Sequence, residues 1–256
     1  MWRLLGLLLA LTGTSVAAET LRYCDYPVYP PISWSDGKQV RGLAPSVVKT
    51  LFGNLGYEVE IVVLGNWKRC LLDAAEGRVD VVLAYSTAQR EQSMRFSTVP
   101  VLREEVAVFF NRQHPVKFER LEDLGNYRGG LLFGESYGLD FDRFVARHGN
   151  IEWVSDSRQN FGKLIRGRID FITHERRTGQ LIVENLPGAA DIQALPQSLN
   201  VDYLRVAVSR RSTLAERMPA IDAELQRMVD AGEIERWLSE SEATYRDMIK
   251  LPADAP

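Results

Sequence analysis

One phrase occurs twice in this chain. Residues 71–84 read LLDAAEGRVDVVLA and residues 161–173 read FGKLIRGRIDFIT. Each copy is a short amphipathic helix closed by a glycine, Gly77 or Gly167, then Arg, a β-branched residue and Asp (Asp80, Asp170), then an apolar strand. A glycine after the last apolar turn supplies the left-handed residue that ends a helix, and the β-branched run behind it reads as a buried strand. The copies stand too far apart for a solenoid and too alike for chance. They predict two similar α/β lobes with a cleft between them, the place where small molecules bind.

The N-terminus is set aside before any fold reasoning. Residues 1–18 carry one arginine (Arg3), an apolar run from Leu4 to Leu11 and a small-residue exit, Val16-Ala17-Ala18, the pattern of a cleaved secretory signal peptide. Its apolar run is too short to span a bilayer, so direct membrane insertion is not expected and the mature chain is read as a soluble periplasmic monomer. The remaining length suits two lobes of about a hundred residues each. Net charge is −3 with both signs spread along the chain, so no basic stripe offers to neutralise phosphates or an anionic membrane. Nucleic acid is excluded as a partner, and a small molecule is left.

In an oxidising compartment the two cysteines, Cys24 and Cys70, read as a single disulfide, with two buried free thiols as the alternative. The three histidines are scattered without ligand spacing, so neither a metal nor another cofactor is expected.

Along the chain, strands at Leu21–Cys24, Val59–Val63 and Val79–Ala84 alternate with helices at Pro45–Leu55 and Trp67–Glu76, a βαβαβ run that makes a parallel sheet with right-handed crossovers. Residues 104–111 form a strand leading to a crossing. A second α/β series then runs through strands 130–133, 151–154 and 169–173 and helices 140–148, 158–166 and 176–184. Strand 203–209 carries the chain back, and amphipathic helices 214–231 and 234–239 pack on the first lobe. The expected division is lobe one at 19–112 and 200–256, lobe two at 113–199, with two crossings acting as a hinge.

Chemistry concentrates after strand 79–84, in the segment STAQREQSMRFSTVP (86–100). Ligands in open α/β sheets lie beyond the carboxyl ends of strands; Thr87 is placed to cap a following helix, with Arg90 one turn inside it. A guanidinium there grips a carboxylate with two parallel hydrogen bonds. The elements Gly77-Arg78-Val79-Asp80, Thr87-Ala88-Gln89-Arg90 and Phe96-Ser97-Thr98-Val99-Pro100 resemble the G-x-[VI]-D, T-x-E-R and F-S-x-P pattern of the extracellular solute-binding proteins of family 3, the periplasmic polar amino-acid-binding proteins of ABC importers. Tyr29-Pro30-Pro31, Gly167–Asp170, Asp230-Ala231-Gly232 and Trp237 extend the resemblance over nearly the whole mature chain.

The resemblance implies a two-lobed, type II periplasmic-binding fold. It implies that Arg90 and Thr87 bind a ligand's α-carboxylate, that Glu175 receives its α-ammonium, and that Ser136 stands beside the carboxylate from lobe two. Tyr29 and Trp67 flank the ligand's side chain, with Tyr85 and Tyr137 among the aromatic residues near the mouth. The chain departs from the pattern in two places: Gln89 replaces a glutamate, and the loop Ala84-Tyr85-Ser86 is compact and aromatic, so Tyr85 fills space that an amino acid would need. The expected function is capture of a small carboxylate-bearing ligand, an amino acid or a relative, for the membrane subunits of an ABC importer, with delivery to a periplasmic sensor as an alternative reader. The rival class is a cyclohexadienyl-dehydratase-like enzyme in which Glu175 is a general acid; the chain is otherwise read as a non-enzyme.

Overall fold

The computed structural model describes residues 18–250, so the expected signal peptide, Ala18 apart, lies outside the described residues. The first lobe runs β1 (Glu19–Asp25), three short strands β2 (Val28–Tyr29), β3 (Ser33–Ser35) and β4 (Val40–Arg41), α1 (Leu43–Asn54), β5 (Tyr57–Val63), α2 (Trp67–Glu76) and β6 (Val81–Tyr85). After β7 (Met94–Phe96) the long β8 (Leu102–Asn111) leads out. The second lobe runs β9 (Gly129–Leu132), α3 (Leu139–Arg147), β10 (Ile151–Val154), α4 (Ser157–Ile165), β11 (Phe171–Glu175) and α5 (Arg176–Asn185). β12 (Ile192–Ser209) returns, and α6 (Met218–Asp230) and α7 (Glu233–Lys250) follow.

The repeated phrase folds as its residues dictate. Asn66 caps α2 by accepting from the Arg69 amide, and Gly77 ends the helix at φ 77°; Asp156 caps α4 through the Arg158 amide, and Gly167 follows that helix at φ 66°. In lobe one β1 pairs in parallel with β5 and β6; in lobe two β9 pairs in parallel with β10 and β11. The strand order is therefore the same in both halves. The two aspartates also do the same work. Asp80 Oδ2 accepts from the Arg22 amide at 2.8 Å while its own amide donates to the Arg22 carbonyl at 2.8 Å, and Asp170 repeats the clasp on Arg128 at 2.8 and 2.7 Å.

Cores form where amphipathic faces meet these sheets. α1 buries Val47, Val48, Leu51 and Phe52 on one side, and each such side chain contributes about 1.5–3 kcal/mol. Cys24 at the end of β1 is bonded to Cys70 in α2, with Cα atoms 5.7 Å apart, which ties a lobe-one strand to the helix above it.

β8 and β12 are antiparallel partners that join the halves into one curled sheet of order β10-β9-β11-β8-β12-β6-β1-β5. Because Val106–Phe110 already pair with β11, the outward crossing lies several residues before the expected boundary at 112. On the return, β12 takes up β6 from Leu204.

Three local expectations change. The helix expected after Thr87 is a single 3₁₀ turn, Arg90–Gln92, because β7 starts two residues later and pulls the chain back onto β12. The helix expected at 214–231 divides into a turn at Thr213–Arg217 and α6, which starts at Met218 with Pro219 in its first turn, where the missing amide costs nothing. The helix expected at 234–239 extends to Lys250: α7 starts against α1 and α6, and its far end meets α5 of lobe two. There Tyr245 packs edge-on against Trp34 and beside Leu181, and Glu242 accepts from Arg177 and Arg246 at 3.3 and 3.0 Å.

Candidate functional site

The strand ends β6 and β11 face each other across the gap between the lobes. A cavity of about 70 Å³ lies there, lined among others by Asp25, Tyr29, Trp67, Tyr85, Arg90, Glu135, Ser157, His174 and Glu175. Ligand pockets usually enclose a few hundred Å³, so a ligand of amino-acid size requires the lobes to part and reclose around it.

Arg90 is 8% exposed. Its guanidinium donates to the Tyr85 carbonyl at 2.8 Å and, across the gap, to the Gly134 carbonyl of lobe two at 2.8 Å. Burial lowers its pKa, opposed by the charges of Glu135 and Asp142. Thr87 Oγ1 accepts from the Arg90 amide at 3.1 Å and thereby sets the turn that aims the guanidinium, but Thr87 is not part of the cavity wall.

Glu175 is buried at the last position of β11. Its Oε1 accepts from the Tyr85 hydroxyl at 2.8 Å, and the Tyr29 hydroxyl lies 3.0 Å from that of Tyr85. Since Tyr85 gives its proton to Glu175, Tyr29 is the donor of the outer link. Oε2 lies 2.7 Å from His174 Nδ1. On its other side His174 Nε2 meets Ser157 Oγ at 2.8 Å. Burial pushes the Glu175 carboxyl up, but the His174 ring, the backbone amide and the Tyr85 hydroxyl together outweigh it and hold the group below the usual carboxylate range. Tyr85 is pushed up by burial and by Glu175, so it remains a proton donor.

Ser136 and Tyr137 do not line this cavity. Ser136 Oγ donates to Asp142 Oδ2 at 2.5 Å and so belongs to the start of α3. Tyr137 is buried edge-on against Phe141.

Two acids that the motif does not mark, Glu135 and Asp25, line the cavity, and a third, Glu104, stands within reach of the Glu175 charge without lining it. Glu135 is half-buried beside Arg90, and burial with the nearby Glu175 charge pushes it up to about 8. Glu104, buried on β8, is pushed up to about 8 by burial and Glu175, and Arg177 offsets only part of this. Asp25 is raised by burial to about 6 despite help from Ser33 and Tyr23, and its Oδ2 has no hydrogen-bond partner. The only sequence signal for Asp25 was its place at the carboxyl end of β1. The gap thus pairs one buried cation with several carboxyl groups under an aromatic rim, a setting for a molecule that carries both signs. Among the described residues no helix is long and apolar enough to cross a membrane.

A family model described as bacterial extracellular solute-binding proteins, family 3, matches residues 21–240. Comparison with curated protein sequences finds no match. Among solved structures, an ancestral arginine-binding protein bound to arginine aligns with TM-score 0.76 at 20% identity, covering 88% of this chain and 99% of its own. An amino acid ABC transporter substrate-binding protein from Streptococcus pneumoniae bound to L-arginine aligns with TM-score 0.75 at 19% identity, covering 90% and 96%. A histidine kinase sensor domain with similarity to periplasmic binding proteins aligns with TM-score 0.76 at 18% identity, covering 88% and 96%. At such identities the likeness is one of fold.

Proposed function

From the fact that the chain belongs to the bacterial extracellular solute-binding proteins of family 3, we propose that it captures an amino acid or a close relative between its lobes, for transfer to the membrane subunits of an ABC importer in the periplasm. The observation that carries this reading is the buried Arg90 guanidinium facing the lobe-two acids Glu175 and Glu135 across one cavity. Arg90 takes the ligand's carboxylate, releasing the Gly134 carbonyl, and Glu175 takes the ammonium. Tyr29 and Trp67 form the walls. Contacts from both lobes exist together only when the lobes are closed, so ligand binding drives closure by the difference in affinity between the two states. Transfer to a periplasmic sensor uses the same capture step with a different reader.

Arg90→Ala removes the charge-assisted grip, worth about 3 kcal/mol or roughly a hundredfold in affinity. Isothermal calorimetry with L-arginine and a panel of amino acids is expected to show that loss, with an unchanged circular dichroism spectrum. Undiminished affinity would remove Arg90 from the site.

One observation favours a second reading. The general acid expected in the dehydratase-like alternative, Glu175, is held below the usual carboxylate range and does not suit that role; Glu135, pushed up to about 8 beside Arg90, keeps its proton near neutrality, as a general acid must. Turnover of prephenate or arogenate by the purified protein, lost in Glu135→Gln, would establish a dehydratase-like activity; no turnover leaves capture alone.

A further inference from the structure

Tyr85 and Glu175 occupy equivalent places in the two repeated units. Each is the fifth residue after the aspartate of its clasp and the last residue of its strand. The pseudo-symmetry that built the lobes brings these two ends together, and the Tyr85 hydroxyl of lobe one donates to Glu175 Oε1 of lobe two at 2.8 Å. Tyr29 supplies a hydrogen to the Tyr85 oxygen, which leaves Tyr85's own hydrogen committed to Glu175. Across the same gap Arg90 donates to the Gly134 carbonyl. Gly134, at φ 90°, lies so close to α2 that a Cβ there would stand 3.0 Å from the backbone nitrogen and Cα of Lys68. Both bonds join lobe to lobe through the protein's own groups. Both also engage the two side chains that the proposed function gives to the ligand.

We propose that Tyr85 is a specificity-determining residue that competes with the ligand: its hydroxyl holds Glu175 and, with the Arg90–Gly134 bond, draws the lobes together, so that an incoming ammonium group must displace it. This rests on the reading that Glu175 receives the ligand's ammonium. A charged donor makes a stronger bond to a carboxylate than a phenol does, so displacement is favourable for an ammonium, and a ligand with only a neutral donor at that end gains little. The apparent affinity for any ammonium ligand is lowered by the fraction of molecules held shut.

Tyr85→Phe keeps the ring and removes the donor. Small-angle scattering without added ligand, together with calorimetry against L-arginine, tests the inference, with circular dichroism checking the fold. The variant is expected to have a larger radius of gyration than the unmodified protein and to bind L-arginine about tenfold more tightly. Equal radii overturn the proposal whatever the affinity. So does weaker or unchanged binding, since the hydroxyl would then be a ligand contact or a bystander. If the radii differ but neither protein binds L-arginine or any other amino acid in the panel, the hold of the Tyr85 hydroxyl on the lobes stands, and the amino-acid reading fails together with the competition built on it.

Discussion

The two lobes are the same unit put to different chemical uses. Their strand orders match, their helices are capped by Asn66 and Asp156 and stopped at Gly77 and Gly167, and Asp80 and Asp170 clasp Arg22 in β1 and Arg128 just before β9 by the same pair of bonds. They part company at the strand ends. Lobe one ends β6 in Tyr85 and then makes the turn that delivers Arg90, whereas lobe two ends β11 in Glu175 and enters α5 at once. The scaffold residues are repeated because both halves need the same backbone bonds satisfied; the terminal residues differ, and the Tyr85 hydroxyl of one donates to the Glu175 carboxylate of the other. A second asymmetry is covalent, since the Cys24–Cys70 bond is confined to lobe one.

The contrast can be broken most directly through its acids. Glu104 and Glu135 are raised from 4.5 to about 8 in the folded protein, so folding binds extra protons and the stability they contribute is full below about pH 4.5 and lost as pH rises towards 8. For the buried Glu104 the difference is at most about 5 kcal/mol. Glu175 runs the other way, its contribution being lost as pH falls below its ordinary range. Thermal melts between pH 5 and 8 are expected to show a falling midpoint in the unmodified protein and a flatter profile in Glu104→Gln. Parallel profiles would mean that Glu104 is not a buried acid at all.

Reduction of the disulfide sharpens the same contrast. Cys24 and Cys70 are 46 residues apart, and opening a loop of that size releases about 4 kcal/mol of chain entropy in the unfolded state. Hydrogen exchange after reduction is expected to rise in β1, β5 and α2 and to stay near its starting level in β9, β10 and α4. Equal loosening of both lobes would show that they unfold as one unit.

Substitution of the clasps gives the smallest effect. Asp80→Ala is expected to lower stability by about 2 kcal/mol, a shift of about 4–8 °C in the melting midpoint, and Asp170→Ala by less. Asp80 also accepts from Ser212 at 2.6 Å and so holds the segment leading to α6, whereas the further partner of Asp170 is the exposed Arg128 side chain. The reverse order in differential scanning calorimetry would assign the larger role to the ion pair.

Much of this was legible before any coordinates. Local signals such as a glycine stop, a β-branched run or an arginine placed after a strand are properties of neighbouring residues, and they point to both repeats and to Arg90, while Glu175 is singled out by the family resemblance. What escaped depends on distant parts meeting. Asp25, Glu104 and Glu135 sit in segments that read as ordinary polar ones, and their burial comes from tertiary packing that no local pattern displays. β12 was read from residue 203 because Pro196 and the polar residues around it interrupt the alternation, yet the strand passes this stretch with shifts in register against β8. Ser136 was assigned to the ligand by its loop, and the nearer Asp142 claimed it. The Thr87 helix was cut short by a strand that only the sheet could place.

The long final helix has a practical bearing on all of these measurements. α7 begins on the first lobe and grips α5 of the second at its far end, through Tyr245 and the Arg177–Glu242–Arg246 contacts, so it bridges the two lobes. The mouth cannot gape without sliding or loosening that brace. A bulky reporter attached to the exposed far turn of α7 would therefore load that brace itself, and any opening measured on such a protein would carry the reporter's resistance with it.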